Sequence, residues 1–273
     1  MAATASVRVA ASTFSPRISI FFAIRSVRCG NGGRVSVECH RRWLAADRHS
    51  KRRRIDMFLG TDDQSVYRNR FRMKRFGQLV VIIDEIIKQK GHCNIIDVGG
   101  RFDHWNALSD IWGGRSLHVT LVNLEAETVT DPHFTSLSGD ACNLKDHADN
   151  SFDLAYSNSV IEHVGQWSNQ KRMASETRRV APRHFIQTPN YWFPLEPHFR
   201  TPFIHWLPRP WRALIVQAKA CGFYPKAANV DEANAILQDA ILLNAPSMAS
   251  LFPDSTIVKE RVAGLTKSLI AVR

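Results

Sequence analysis

Cysteine is scarce in this chain: Cys29, Cys39, Cys93, Cys142 and Cys221 are odd in number, widely spaced and never arranged as C-x-x-C. That excludes a disulfide framework and a zinc ribbon, and it fits a reducing compartment. No metal site is read from the sequence. No apolar run approaches the roughly 20 residues a membrane span needs. G-x-G-x-x-G is absent, which argues against a nicotinamide dinucleotide enzyme. Acids are missing at the start, where none precedes Glu38.

What is present in abundance is positive charge, +11 over 273 residues. Its location matters more than its size. Residues 1–56 hold twelve Arg and Lys against Glu38, Asp47 and Asp56, a net of +9. The other 217 residues carry 24 bases and 22 acids, a net of +2. The basicity is a tail property, and the near-neutral remainder lacks the electrostatic footprint of a nucleic-acid binder.

The chain therefore divides into a basic leader, 1–56, and a domain, 57–273. The leader is rich in Ser, Ala and Arg, and its one apolar run, Ile18–Ile24, is closed by Arg25. Three readings stand: an organelle transit peptide, a weak signal peptide, or a disordered or wrongly included leader, with translation starting at Met57. The expected location is cytoplasmic, or an organelle if the leader acts as a transit peptide. Lys51–Arg54 reads as a solvated charge run.

In the remainder, Phe71, Phe76, Leu79, Val80, Ile83, Ile86 and Ile87 recur at helical steps, so 65–90 is expected to be a helix stopped by Gly91. Strands are expected at Cys93–Val98, Leu117–Val122, Phe134–Leu137, Phe152–Tyr156 and His184–Gln187. Helical patterns are expected at Asp103–Trp112, Asn169–Val180, Trp211–Ala220 and Asp231–Leu243. A segment dense in Pro and aromatics, 189–210, interrupts the alternation. Thr256–Val262 and Leu265–Val272 read as an antiparallel hairpin. Alternating strands and helices predict an α/β fold with a doubly wound, mostly parallel sheet.

In such a sheet a ligand lies across the carboxyl ends of the strands. There the sequence places Asp97, Gly99 and Gly100, then Asn123 and Glu125, then Asp140, then Ser157-Asn158-Ser159. Glycines let a ligand approach the main chain, and the short polar groups suit a ligand bearing ribose, adenine and charged ends.

Four blocks carry a family likeness: Ile95-Ile96-Asp97-Val98-Gly99-Gly100, Val119-Thr120-Leu121-Val122-Asn123-Leu124, Gly139-Asp140-Ala141, and Asp149 through Val164 with its Glu162-His163-Val164 end. On them the chain resembles the class I S-adenosylmethionine-dependent methyltransferases, especially the small-molecule branch, over roughly 65–273. The resemblance implies a seven-stranded Rossmann-like methyltransferase sheet ending in the antiparallel hairpin. It implies a methyltransferase with S-adenosyl-L-methionine as cofactor. Gly99 and Gly100 would face the methionine part, with Asp97 among the cofactor-binding residues. Asn123 would lie near the ribose, Asp140 near the adenine amino group, Ala141 near the ring, and Ser157 beside the sulfonium. Two positions depart from the family pattern. Arg101 and Asp103 replace later glycines of D-x-G-x-G-x-G, and Asn123 stands where Asp or Glu is usual.

His163 is the expected catalytic base, because an imidazole can take a proton from a hydroxyl or amine nucleophile. Glu196 and His198 are rivals in the aromatic segment, which is expected to wall the acceptor. The expected acceptor is a small molecule or glycan, with O-methylation favoured. The alternative is a cofactor- or partner-binding domain without catalysis. The sequence does not give the oligomeric state.

Overall fold

The computed structural model describes residues 67–273; the leader 1–56 and residues 57–66 lie outside the described residues. Helix α1, Arg70–Lys90, starts where Asn69 accepts a hydrogen bond from the Arg72 N–H at 3.1 Å. It ends at Gly91, whose φ of 80° lets its N–H return to the Ile87 carbonyl. Strand β1, Cys93–Val98, follows. The helix expected at Asp103–Trp112 is two short pieces, α2 (Phe102–Asn106) and α3 (Ser109–Trp112).

The chain continues as β2 (Leu117–Asn123), β3 (Phe134–Ser138), β4 (Leu154–Asn158), α4 (Trp167–Val180) and β5 (Arg183–Pro189). It then forms a small ribbon, β6 (Leu195–Glu196) with β7 (Thr201–Pro202). Helices α5 (Arg209–Ala218), α6 (Val230–Gln238) and α7 (Ala245–Leu251) precede the hairpin β8 (Thr256–Val262) and β9 (Leu265–Val272). The main sheet has seven strands in the order β3-β2-β1-β4-β5-β9-β8, parallel from β3 to β5, with β9 antiparallel to its neighbours. The expected fold class holds, hairpin included.

Alternation along the strands builds two cores. Ile95, Val119, Leu121, Tyr156, Phe185 and Ile270 face the α1 side, against Phe76, Leu79, Ile83 and Trp105. Ile96, Val98, Ala155, Ile186, Leu269 and Ala271 face the other side, against Met173 of α4 and Met248 and Leu251 of α7. A third core joins Phe199, Ile204, Val216, Tyr224, Ile236 and Leu237. The aromatic segment and helices α5 and α6 therefore form a packed cap rather than a loose lid.

Two boundaries move for visible reasons, and one helix is unexpected. Strand β4 begins later than expected because Asp153 is engaged by Lys90 and by the Asn94 N–H, so pairing opens at Leu154 opposite Ile95. Helix α6 stops at Gln238 rather than Leu243, because Asp239 and Ile241 turn to the loop after β4. Helix α7 is not expected from the sequence. Its small residues give little periodicity, but Asn244 accepts from the Ser247 N–H and Pro246 occupies the first turn.

Candidate functional site

The polar tips of β1 to β4 are laced to one another. Gly99 has φ 78°, and its N–H bonds the Val122 carbonyl at 2.8 Å. A Cβ there would stand 2.5 Å from Val160, and one at Gly100 would overlap the Asp97 carboxylate. Both positions therefore require glycine. Asp97 is fully buried and accepts from the Trp105 indole N–H at 2.7 Å. Its other oxygen, Oδ1, is buried without a partner. Burial pushes this carboxyl up to about 7; the Trp105 hydrogen bond opposes the shift, and the Glu127 charge adds to it.

Asn123 donates its side-chain amide to the Gly100 carbonyl. A carboxylate could not make that bond, which is a physical reason for the departure from Asp. The acid that closes this corner is Glu127, which the sequence reading missed. It accepts from the Phe102 N–H at 3.0 Å and pairs with Arg101 at 3.1 Å, while Glu125 is exposed. Asp140 is exposed and accepts from the Cys142 N–H at 2.8 Å, with Ala141 buried beside it. Ser157 is wholly buried, and its hydroxyl donates to the Val98 carbonyl at 2.8 Å. The tips adjoin, but Asn123 and Ser157 are engaged within the protein. A cleft of about 240 Å³ opens near β3, lined by Val122, Leu137, Gly139, Leu144 and His147 among others. Its lining includes neither Asp97 nor Gly100.

The three rival bases converge. His163 lies in the buried loop after β4, which turns at Ser159 (φ 59°). His198 lies in the turn between β6 and β7. Their Nε2 atoms are 3.1 Å apart, with the rings edge to face at 89°. Each ring is held from behind. His163 Nδ1 is 2.9 Å from the Asp239 carbonyl oxygen and 3.6 Å from its carboxylate. His198 Nδ1 is 2.6 Å from Glu196 Oε1, while Glu196 Oε2 accepts the Phe199 N–H at 2.5 Å. Gly222 (φ 56°) passes so close to His198 that a Cβ would overlap the His198 carbonyl, which the Phe223 N–H binds at 2.9 Å.

Glu162 completes the group. It is fully buried, with Oε2 accepting from the Thr188 hydroxyl at 3.0 Å and Oε1 unpartnered. Burial pushes His163 down, but the Asp239 hydrogen bond and the Glu162 charge outweigh it and raise it to about 9. Asp239 is also buried, yet the hydrogen bonds from His163 and from the Tyr224 hydroxyl hold it below the usual carboxylate range. The sequence singled out His163, Glu196 and His198. It carried no sign of Asp239 and Tyr224, which arrive from the cap.

The seven-stranded sheet with its antiparallel edge, the acid and two glycines after β1, and the Glu-His turn after β4 are the features that the resemblance to class I methyltransferases implied. Residues 108–183 match the family model described as "Methyltransferase domain". No curated protein matches the chain. Among solved structures, it is similar to the 1,6-didemethyltoxoflavin-N1-methyltransferase of Burkholderia thailandensis (15% identity, 89% of this chain and 92% of that one, TM-score 0.42). It is also similar to S-adenosylmethionine-dependent methyltransferases of Methanosarcina mazei (13%, 68% and 94%, TM-score 0.38) and Aquifex aeolicus (13%, 78% and 99%, TM-score 0.36).

The residues fit S-adenosylmethionine, the cofactor that the resemblance implies, at one end. Asp97 Oδ1 is the buried, unpartnered acceptor that the methionine ammonium would satisfy, beside a turn only glycine can form.

Proposed function

We propose that this domain methylates a small-molecule or glycan acceptor, most readily at oxygen, and that His163 takes the acceptor's proton in its neutral form, so that transfer rises with pH toward about 9. The observation that carries this reading is the meeting of His163, His198, Glu196 and Glu162 beyond the carboxyl ends of β4 and β5. When bound, S-adenosylmethionine supplies a sulfonium methyl whose C–S bond breaks as the C–O bond to the acceptor forms, leaving S-adenosylhomocysteine.

The residues of the chain supply the rest. Asp97 and the Gly99–Gly100 turn would seat the methionine end, Asn123, Asp140 and Ala141 would border the adenosyl part, and Ser157 would lie nearest the sulfur. Alignment of nucleophile and methyl is worth roughly 7–11 kcal/mol, and a positioned base a further 10²–10⁴-fold. The cap supplies the acceptor wall. Trp192 and Trp206 stand 6.2 Å apart and largely exposed, and such faces suit sugar rings and other flat or ring-shaped acceptors. The near-neutral domain argues against a nucleic-acid acceptor. Cys93, Cys142 and Cys221 are free, and burial pushes Cys93 up to about 12 and Cys142 up to about 11, which makes both poor nucleophiles. No described helix is long and apolar enough to cross a membrane.

One observation favours a second reading, a binding domain without catalysis: Asn123 and Ser157 are both spent on internal hydrogen bonds. Calorimetry with S-adenosylhomocysteine followed by labelled-methyl transfer to a panel of hydroxylated acceptors separates the two. Turnover that falls in His163→Ala with cofactor affinity unchanged supports the first reading. Binding with no transfer across the panel supports the second, and no binding at all removes both.

A further inference from the structure

The tautomers of the two facing histidines follow from their outer partners. His163 Nδ1 faces a backbone carbonyl, which only accepts, so that nitrogen carries hydrogen. His198 Nδ1 faces a carboxylate that already accepts the Phe199 N–H, so it too carries hydrogen. Their Nε2 atoms face one another across 3.1 Å and share one hydrogen between them. Glu162 Oε1 is buried and unpartnered, and a carboxylate oxygen of Glu162 and one ring nitrogen of each histidine lie within 4.8 Å of one another. A divalent cation can take the place of that shared proton and satisfy the orphaned carboxylate oxygen as well.

We propose that Glu162, His163 and His198 bind one divalent first-row transition-metal ion on the acceptor side of the domain. Two imidazoles and one carboxylate form a donor set suited to Zn²⁺, Mn²⁺, Fe²⁺ or Co²⁺ rather than Ca²⁺. An ion bonded to both nitrogens at about 2.1 Å would see them roughly 95° apart at the observed 3.1 Å separation, close to the right angle of an octahedral site. The outer contacts match those of metal-bound histidines, whose second nitrogen donates to a carboxylate or a backbone carbonyl. Glu196 does this for His198, and the Asp239 carbonyl for His163. Glu162 and His163 come from the loop after β4 and His198 from the turn between β6 and β7, so the site exists only once the cap has docked. Three protein ligands leave positions open for oxygen donors. The metal's role in holding an acceptor rests on the methyltransferase reading: an acceptor hydroxyl bound there would lose its proton more readily, with His163 then a ligand rather than the base.

The test uses the full chain, stripped with chelator and titrated with Co²⁺, read by visible absorption. One Co²⁺ per chain is expected, with bands lost in His198→Ala at unchanged far-UV circular dichroism. Glu196→Gln, which removes only the outer support, is expected to weaken Co²⁺ binding about 10–100-fold. Should His198→Ala not fold, pulsed electron paramagnetic resonance of the unmodified protein loaded with Mn²⁺ decides the matter, because it must show two imidazole nitrogens. No stoichiometric Co²⁺ binding, binding indifferent to His198→Ala, or fewer than two nitrogen couplings would overturn the site. S-adenosylhomocysteine affinity, measured without metal, separates the two proposals. Intact cofactor binding with no metal binding overturns the metal site alone, and metal binding without cofactor binding overturns the methyltransferase reading alone.

Discussion

The indole N–H of Trp105 donates to the carboxylate of Asp97 at 2.7 Å, and this is the only hydrogen bond to the Asp97 side chain recorded among the described residues. Trp105 is itself fully buried, packed edge to face on Phe76 at 5.2 Å. The acid at the end of β1 is thus fixed in place with one oxygen spare.

That spare oxygen has a cost visible in pH. Asp97 is raised to about 7 in the fold, against an ordinary value of 3.8. Its contribution favours the fold at low pH and is lost as pH rises from about 4 through 7. Asp97→Asn should therefore stabilise the cofactor-free protein at pH 8, by on the order of a few kcal/mol, while weakening S-adenosylhomocysteine binding. Urea denaturation at pH 5 and pH 8 with parallel calorimetry checks both. A variant no more stable than the parent at pH 8 would contradict the assignment.

Two buried histidines act in the opposite sense. His104 is lowered to about 3 by burial and then by the charges of Arg72 and Arg75. Burial lowers His184 to about 4; Asp254 opposes the shift, and Arg273 and Arg178 add to it. Both are neutral in the fold, so their stabilisation is present above pH 6.5 and is lost as pH falls toward 3–4. Each fully developed term amounts to about 1.4 kcal/mol per pH unit, and Asp97 offsets one of the two over part of that range. The protein should lose stability between pH 6 and 4, and His104→Gln should flatten the loss. Equal slopes for parent and variant would show that His104 is not the group involved.

Gly99 tests whether the turn itself matters. Gly99→Val places a branched side chain at φ 78° against Val160, and the positive φ alone costs roughly 1–3 kcal/mol. Cofactor binding should disappear and the melting temperature fall. Val160→Ala in the same chain should recover part of the stability, because it removes the collision but not the strained backbone. No recovery would mean that the collision is not what destabilises Gly99→Val.

Asn123→Asp restores the residue usual in the resembled family and yet should destabilise this protein. It sets a carboxylate against the Gly100 carbonyl in place of a donor, a loss of about 1–3 kcal/mol. Thermal denaturation checks it directly. An Asp variant as stable as the parent would show that the bond from Asn123 to Gly100 contributes nothing.

Much of this architecture was legible because its signals are local. The apolar runs of β1 and β2, the Gly91 stop and the hairpin at 256–272 each follow from residues next to one another, and the observed hairpin bounds coincide with those expected. Helix α7 and the β6–β7 ribbon are too short and too small-sided to show a period. The acid–base cluster was legible only as a list of rivals. His163 and His198 are 35 residues apart, and Asp239 joins them through the packing of the cap, which no spacing rule encodes. Glu127 was passed over for Glu125, because nothing in the sequence says which of two nearby acids turns back toward Arg101.

The position of β9 bears on how the chain is made. β5 ends at Pro189, but the strand that covers its free edge begins only at Leu265. During synthesis that edge must emerge from the ribosome bare, with its row of backbone donors and acceptors open to any passing strand. A ribosome stalled before Leu265 should thus display a nearly complete sheet with one sticky side, the kind of nascent species that chaperones retain until the last strand slots in.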